Sequence, residues 1–126
     1  MAVARDCRYL PTHEWFRVEG SIVTIGITQF AADALTDVTY VSLPAVGKPV
    51  SAGASFGEVE SVKATSDVYS AVSGAVVETN TRLEGEPNLV NDDPQGAGWM
   101  IKVNAADLAP LSKLMDADAY EKMIKG

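Results

Sequence analysis

Short segments in which apolar and polar residues alternate run through most of the chain, with glycine and small polar residues between them. Residues 15–18 and 21–25 are two such segments, and Glu19-Gly20 between them suits a hairpin turn. Further segments of this kind are found at residues 38–41, 56–59, 68–72, 75–79 and 99–103. Short strands separated by glycine favour a small β-sandwich or β-barrel over a sheet whose strands are connected by helices, so we predict a mainly β fold.

Helical signals are confined to short stretches. Thr28 can cap a helix that contains Ala31 to Leu35, because its hydroxyl can accept a hydrogen bond from an amide of the first turn. Pro87 can begin a single helical turn, since proline is tolerated at a first helical position. Apolar residues recur at helical spacing near the carboxyl end: Leu108, Leu111, Leu114, Met115, Ala119 and Met123. This stripe predicts amphipathic helical segments packed on the sheet, with a docking helix as the alternative.

One lysine stands between two of the predicted strands. Residues 59–63 and 64–69 form two period-two segments that close a tight hairpin, which places Lys63 at its tip. Most lysines on such turns are solvating charges that discourage edge pairing. An acyl group on this amine would instead ride on four mobile methylenes above a rigid backbone, which suits a carrier. The residue alone leaves both interpretations open.

The length and the net charge of the chain limit the classes of function that it could have. A chain of 126 residues fits one domain that can bury a core without metal or disulfide help, and Cys7 is its single cysteine. The net charge of −7 repels phosphate backbones and anionic membranes, so we expect no nucleic-acid partner and no membrane partner. An acidic surface suits either simple solubility or docking onto basic patches of partner proteins.

The amino-terminal stretch up to Arg8 has neither the apolar core of a secretion signal nor the Arg- and Ser-rich character of a transit peptide. No apolar run of the sequence approaches the length needed to cross a bilayer. We therefore expect a cytoplasmic protein if the source is bacterial, or a protein of the mitochondrial matrix if this is a mature eukaryotic form.

Residue groups typical of catalysis are missing from the sequence. The chain has one histidine, His13, and one cysteine, so neither a metal cluster nor a paired nucleophile and base is expected. It also has no glycine-rich phosphate loop. His13 is expected to make a structural hydrogen bond or to cap a strand end rather than to perform acid–base chemistry. We therefore predict that the chain is not an enzyme on its own.

The residues around the lysine carry a more specific signal. Residues 60–67, Glu-Ser-Val-Lys-Ala-Thr-Ser-Asp, resemble the lipoyl-lysine motif of the glycine cleavage system H-protein family. Further matches follow along the chain in the family's order: His13-Glu14-Trp15, Val23 to Thr28, Ser73-Gly74, Asn80, Leu89-Val90-Asn91 and Gly98 to Lys102. The resemblance covers nearly all of the 126 residues.

This resemblance implies a fold and a cofactor. The fold is a barrel-sandwich hybrid of the lipoyl- and biotinyl-carrier type with short peripheral helices. Residues 1–126 would form a single domain, in which amino-terminal strands and carboxyl-terminal helical segments are added to the hairpin-bearing core. A lipoate-attaching enzyme would join lipoate covalently to Lys63, and the chemistry would then belong to the cofactor. Glu60, three residues earlier, would help that enzyme to recognise the turn.

The resemblance also implies three catalytic partners. A pyridoxal-phosphate glycine decarboxylase (the P protein) would load the arm with the aminomethyl group of glycine, and a tetrahydrofolate-dependent aminomethyltransferase (the T protein) would unload it. Dihydrolipoyl dehydrogenase (the L protein) would reoxidise the dithiol. In the family the loaded arm folds into a cleft on its own carrier, and the matching residues here are Thr12, Glu14 and Asp67. Without the resemblance, both carboxylates would be interpreted as solvated surface groups.

Other carriers and an unmodified module are the alternatives. Biotinyl domains and the lipoyl domains of 2-oxoacid dehydrogenases also display a hairpin lysine. The former typically have methionines beside it and the latter an aspartate before it, whereas Val62 and Ala64 stand here. In an unmodified interaction module, Lys63 would be an ordinary turn residue. A relay of lipoyl groups to other enzymes, which some relatives of the family perform, is a further role that the sequence allows.

Overall fold

The computed structural model describes residues 3–125, and β-strands dominate that part of the chain. In chain order they are β1 (Cys7–Tyr9), β2 (Glu14–Glu19), β3 (Ile22–Ile27), β4 (Val38–Ser42), β5 (Pro49–Val50), β6 (Ser55–Ser61), β7 (Thr65–Tyr69), β8 (Gly74–Thr79) and β9 (Ile101–Ala105). One antiparallel sheet has the order β1-β2-β3-β9-β8-β5, and β4-β6-β7 form a second. The two sheets pack as a sandwich, so the predicted mainly β fold is confirmed.

Short helices connect or follow the strands. They are α1 (Gln29–Leu35), α2 (Arg82–Gly85), α3 (Leu89–Asp92), a 3₁₀ helix (Ala109–Lys113) and α4 (Ala117–Lys125). The Thr28 side chain accepts a hydrogen bond from the amide of Ala31, which confirms the predicted cap of α1. The helical turn predicted at Pro87 is α3, which begins two residues later. No helix within the described residues is long and apolar enough to cross a membrane.

Buried apolar side chains hold the two sheets together. Ile101 belongs to a cluster on the larger sheet, and Val59 belongs to a second cluster on the smaller sheet. Leu43 and Phe56 pack against both clusters, so they join the sheets into one continuous core. The smaller sheet carries the β6–β7 hairpin with Lys63, and the base of this hairpin is therefore packed into the core.

Strand β2 is covered on both of its faces. Successive side chains of a strand point to opposite faces. Phe16 accordingly packs in the cluster on the larger sheet, whereas Trp15 lies in a third cluster with Tyr9 and with Tyr120 of α4. The carboxyl-terminal helix thus covers the second face of β2. This arrangement buries residues at the start of the strand that simple alternation would leave in solvent.

The strand predicted at residues 68–72 ends three residues earlier than expected, because β7 spans Thr65–Tyr69. The hydroxyl of Ser70 donates to the carbonyl of Val72 at 2.7 Å and accepts from the amide of the same residue at 3.1 Å. Local bonds of this kind compete with sheet pairing, so the chain turns out of the sheet at this point.

The last strand and the carboxyl-terminal helix differ from their predictions, the strand in its first residue and the helix in the face that it buries. The strand predicted at residues 99–103 is β9, which begins two residues later because the Trp99 amide donates to the Gly96 carbonyl and closes the preceding turn. In α4, Ala119 and Met123 are exposed although the predicted apolar stripe included them. Tyr120 is the side chain that this helix buries most deeply on β2. The prediction of a packed helix is right, and its assigned face is wrong.

Candidate functional site

Lys63 lies in the turn that joins β6 to β7, where its side chain is exposed. The Ser61 hydroxyl accepts hydrogen bonds from the amides of Lys63 (3.1 Å) and Ala64 (3.0 Å). The amide of Val62 donates to the carbonyl of Asp37 (3.1 Å), in the segment between α1 and β4. The backbone of the turn is therefore held from within and from outside, and the structure places Lys63 at the tip of the hairpin, as the sequence predicted.

The amine of Lys63 lies close to α1. Its Nζ atom is 3.5 Å from the carbonyl oxygen of Ala34 in the last turn of that helix. Carbonyl groups at the carboxyl end of a helix carry partial negative charge, which attracts an ammonium group. Ala34 also lines a cavity beside the turn, so the lysine amine stands at the edge of that cavity.

The cavity has a volume of about 160 Å³ and is bounded by α1, the segment before β2, and strands β6 and β7. Its apolar lining comes from Ile27, Ala31, Leu35, Val59 and Val68. Its polar lining includes Thr12, Glu14 and Asp67, the three residues for which the resemblance implied a shared cleft. The fold brings all three together, although Thr12 and Glu14 lie just before and at the start of β2 and Asp67 lies far away in the chain, on β7.

Glu14 is the most buried of the polar residues at the cavity, with 1% of its surface exposed. Its Oε2 accepts a hydrogen bond from the amide of Tyr69 at 2.9 Å, and its Oε1 accepts one from the hydroxyl of Thr12. Burial raises the pKa of Glu14, and these two hydrogen bonds oppose that rise. Within residues 3–125, no ion pair reaches this carboxylate. A buried carboxylate with no cationic partner destabilises a fold, so its position points to a binding role.

The other predicted site residues are more exposed. Thr12 and Asp67 border the cavity, and Thr12 is tied to Glu14 by its hydroxyl. Glu60 lies outside the cavity lining, on the exposed surface near the end of β6. The structure therefore separates Glu60 from the three cleft residues, and Glu60 remains a prediction for recognition of the turn by a modifying enzyme.

A buried tyrosine that the sequence pattern did not single out contacts two sides of the cavity. The hydroxyl of Tyr120 lies 2.7 Å from Nδ1 of His13 and 2.7 Å from Oγ1 of Thr28. His13 lines the cavity, and it makes a structural hydrogen bond as expected. Burial lowers the pKa of His13, which favours a neutral ring. The sequence signal that could have identified Tyr120 is its aromatic side chain at a position predicted to be helical, one turn after Ala117.

Apolar walls that end in a buried carboxylate suit a ligand with an apolar chain and a cationic amine at its end. Glu14 would accept charge-assisted hydrogen bonds from such an amine, and the apolar lining would exclude water. A chain attached at Lys63 would enter the cavity past Ala34. Among residues 3–125 no group of three or more His, Cys, Asp and Glu side chains is arranged to hold a metal ion.

A larger hollow of about 560 Å³ lies elsewhere, along β4 and α2. Tyr40, Pro44, Leu83 and Glu84 contribute to its lining. The predicted site residues do not border it. The smaller cavity beside Lys63 is therefore the site in which the predicted residues converge, in spite of its size.

Comparisons with known proteins show which family the chain is similar to. The family model described as "Glycine cleavage H-protein" matches residues 7–126. The glycine cleavage system H protein of Carboxydothermus hydrogenoformans is 50% identical over 123 residues, which cover 98% of this chain and 95% of that protein. The glycine cleavage system H protein 2, mitochondrial, of Arabidopsis thaliana is 53% identical over 120 residues, which cover 95% of this chain and 77% of that protein.

The fold is shared with a solved structure. The crystal structure of a glycine cleavage system H protein from Mycobacterium marinum aligns with a TM-score of 0.89 at 38% sequence identity. The alignment covers 98% of this chain and 100% of that chain. The overall fold is thus common to both proteins.

Proposed function

The chain belongs to the glycine cleavage H-protein family, whose members are carrier subunits rather than catalysts, and on this basis we propose that Lys63 is its lipoyl attachment site. A lipoate-attaching enzyme modifies Lys63, and Glu60 contributes to recognition of the turn. The carrier then takes the aminomethyl group of glycine from the P-protein decarboxylase to the T-protein aminomethyltransferase. The L protein, a dihydrolipoyl dehydrogenase, reoxidises the arm.

The position of the Lys63 amine carries this proposal. The side chain is exposed on a turn whose backbone is held by Ser61 and by the Val62 amide, so an attached group is mobile while its anchor is not. The same amine stands at the edge of the cavity that contains Glu14, at 3.5 Å from the Ala34 carbonyl. An ordinary solvating lysine needs neither the held backbone nor the adjacent buried carboxylate.

Lipoate at Lys63 would supply a dithiolane that accepts and releases the aminomethyl group. Shielding is useful, because loss of the amine would expose the one-carbon unit to water. Glu14 offers a buried carboxylate to the cationic amine, and Asp67 offers a second, exposed carboxylate at the rim of the cavity. Thr12 fixes one oxygen of Glu14 through its hydroxyl, so the carboxylate is oriented before the arm arrives.

The carrier meets its partners through the exposed turn. Glu58 and Glu60 on β6 and Asp67 on β7 surround the base of the hairpin with negative charge, and all three are exposed. Such a surface favours docking onto basic patches at the entrance of a partner's active site. The family occurs in bacteria and in mitochondria, so we place this carrier with the rest of the system in the bacterial cytoplasm or in the mitochondrial matrix.

Intact mass after coexpression with a lipoate ligase tests the attachment site. We expect a lipoyl mass increment on the wild type and on Lys48→Arg, a control in which another exposed lysine is replaced. We expect no increment on Lys63→Arg, which keeps the charge and the length of the side chain but removes the amine. An unchanged wild-type mass, or a biotinyl increment, would contradict the proposal.

The lifetime of the aminomethyl-loaded arm tests the cleft. Glu14→Gln keeps the shape of the side chain and its acceptor for the Tyr69 amide while removing the charge. Asp67→Asn removes the charge of the side chain at the cavity rim and keeps its shape. We expect faster release of ammonia and formaldehyde from both variants, with the larger effect for the buried Glu14. Glu19→Gln, at the exposed end of β2, is the control. Equal lifetimes in all forms would remove these carboxylates from the shielding role.

A further inference from the structure

Two walls of the cavity meet at one hydroxyl group. One wall is the segment that carries His13 and Glu14, and the other is α1, which Thr28 caps. The hydroxyl of Tyr120 lies 2.7 Å from Nδ1 of His13 and 2.7 Å from Oγ1 of Thr28. The backbone connects the same two residues, because the Thr28 amide donates to the His13 carbonyl at 2.9 Å.

The backbone of His13 has a conformation that needs support. Its φ is 77°, in the left-handed region that residues other than glycine rarely adopt. Its amide donates to the carbonyl of Leu10 at 3.0 Å, and its ring packs on Phe30 of α1 with the centroids 4.6 Å apart. These contacts hold a strained residue between Thr12 and Glu14, both of which line the cavity.

One arrangement of hydrogen atoms gives each of these polar groups a partner. Thr28 Oγ1 accepts from the amide of Ala31, and its hydrogen is then directed to the hydroxyl oxygen of Tyr120. Tyr120 in turn donates to Nδ1 of His13, which must be unprotonated. The lowered pKa of His13 agrees with a neutral ring. Protonation of Nδ1 would reverse this last bond, and either the Tyr120 or the Thr28 hydroxyl hydrogen would then lose its acceptor in this group.

We propose that Tyr120 is a positioning residue for the cleft, which holds the His13–Glu14 segment at a fixed separation from α1. The role assigned to Tyr120 rests on the proposed function, because the cavity is a resting place only if Lys63 carries an arm. It gives the carboxyl-terminal helix a part in shielding, although Tyr120 itself does not line the cavity. Loss of one hydroxyl group would then loosen the cleft without removing any residue that faces the arm.

A second tyrosine offers a matched control. The ring of Tyr120 stacks on that of Tyr9 in β1, with the centroids 4.5 Å apart and an angle of 9° between the planes. The Tyr9 hydroxyl also has two partners, since it donates to the Ala4 carbonyl at 2.6 Å and accepts from Gln95 at 3.2 Å. Both rings are almost fully buried. The stacked pair therefore presents two comparable hydroxyl groups, of which the Tyr120 hydroxyl contacts the cavity walls.

NMR of the unloaded protein gives the first test. His13 is the single histidine of the sequence, so the imidazole signals report on it alone. In the wild type we expect a neutral ring whose Nδ1 is unprotonated. Burial keeps the pKa of His13 low in every variant, but Tyr120→Phe also removes a hydrogen bond that favours the neutral ring, so the pKa of His13 should rise in this variant, while Tyr9→Phe leaves it unchanged. Glu14 and Asp67, which line the same cavity, are present in both variants.

The lifetime of the loaded arm gives the second test. Tyr120→Phe should shorten it roughly fivefold, the factor expected for the net contribution of one hydrogen bond. Tyr9→Phe should lose a similar amount of thermal stability but keep the wild-type lifetime, because the partners of its hydroxyl, Ala4 and Gln95, do not line the cavity.

Equal lifetimes and equal His13 titrations in Tyr120→Phe and the wild type would overturn the role of Tyr120. So would a shortened lifetime shared with Tyr9→Phe, because that result indicates a general loss of stability. A wild-type ring whose neutral form carries its proton on Nδ1 would overturn it as well, even if Tyr120→Phe did not fold. Absence of lipoylation in the wild type would contradict the proposed function instead, and the NMR titration would still decide whether Tyr120 holds His13.

Discussion

Lys63 and Glu14 stand at the same cavity, but their surroundings differ in almost every respect. The Lys63 side chain is exposed, and within residues 3–125 its one hydrogen bond runs from Nζ to the Ala34 carbonyl at 3.5 Å. Glu14 is 1% exposed, and both of its carboxylate oxygens accept hydrogen bonds. The turn that carries the lysine is held mainly by the nearby Ser61, with one bond from Val62 to Asp37, whereas the glutamate depends on Tyr69 from the other sheet.

If Lys63 carries the proposed arm, this difference allows one small domain to combine a mobile attachment point with a binding site. An attachment point gains from freedom of the side chain, as long as the backbone beneath it is fixed. A resting place gains from groups that are oriented before the ligand arrives, because little ordering remains to be done on binding. Mutations at the two regions should therefore act on different properties, with stability changes concentrated around Glu14 and its neighbours.

The largest effect is expected at Gly26, which pairs with Trp15, the residue after Glu14. A Cβ atom at Gly26 would lie 2.8 Å from the Trp15 ring, whose Nε1 donates to the carbonyls of Ile27 and Pro94. Gly26→Ala should lower the free energy of unfolding by about 1–3 kcal/mol through overpacking. Chemical denaturation measures this change.

Gly85→Ala is the matched control for Gly26→Ala. A Cβ atom at Gly85 meets no heavy atom within 4 Å, and its φ is not positive. We expect unchanged or slightly higher stability, by up to about 1 kcal/mol, because alanine restricts the unfolded chain. Similar losses in both variants would show that the region behind Glu14 is no more tightly packed than the periphery.

A smaller, pH-dependent effect is expected for Glu14→Gln. Because the pKa of Glu14 is raised above its ordinary value of 4.5, the folded state binds this proton more tightly than the unfolded state does. The wild type should match the variant well below pH 4.5 and lose stability relative to it as the pH rises through the raised pKa. Thermal unfolding at pH 4 and pH 7.5 should therefore show the variant to be more stable only at the higher pH.

The control for this pH dependence is Glu19→Gln at the exposed end of the same strand. Its stability should stay within about 0.5 kcal/mol of the wild type at both pH values. A Glu14→Gln variant that became less stable at pH 7.5 would mean that the carboxylate contributes more through its hydrogen bonds than its burial costs.

The smallest effect on stability is expected at the turn itself. Ser61→Ala removes the acceptor for the amides of Lys63 and Ala64, which are exposed to water and can bond to it instead. The free energy of unfolding should fall by no more than about 1 kcal/mol. The rate of lipoylation should fall further, because the turn is less well ordered for the modifying enzyme.

Ser55→Ala provides the comparison for Ser61→Ala, since the Ser55 hydroxyl makes one bond in the same strand, to the Gly57 carbonyl at 3.0 Å. Its lipoylation rate should equal that of the wild type. If both serine variants are modified at the wild-type rate, then the Ser61 bonds are not needed for presentation of the lysine.

The two regions also differ in how well the sequence predicts them. The Lys63 turn follows from residues within a few positions of each other, and alternation with small polar residues indicates such a turn directly. The β2–β3 hairpin and the Thr28 cap of α1 are local in the same way, and both are observed. Strand β1 was missed because it has three residues and is held by β2 and by the bridge from Tyr9 to Met115.

The surroundings of Glu14 depend on partners that are far away in the chain. Tyr69 is 55 residues from Glu14, and Tyr120 is 107 residues from His13. Periodicity shows which positions are apolar, but not which distant element covers them, so the burial of Glu14 and the face of α4 could not be read from the pattern. The family resemblance, rather than alternation, supplied Thr12, Glu14 and Asp67 as a group.

The hydrogen bond from the Val62 amide to the Asp37 carbonyl joins the turn to the segment that follows α1, and α1 also forms a cavity wall. The turn that anchors an arm on Lys63 and the cavity that would hold the arm are therefore connected through α1 and the segment that follows it. Exchange between the parked and the extended arm then needs only rotation about its own single bonds, which is far faster than the millisecond motion of domains. A docked enzyme competes with an intramolecular site whose effective concentration is of millimolar order. The partner's affinity for the arm, rather than an opening motion of the carrier, would thus set how often the cargo is released.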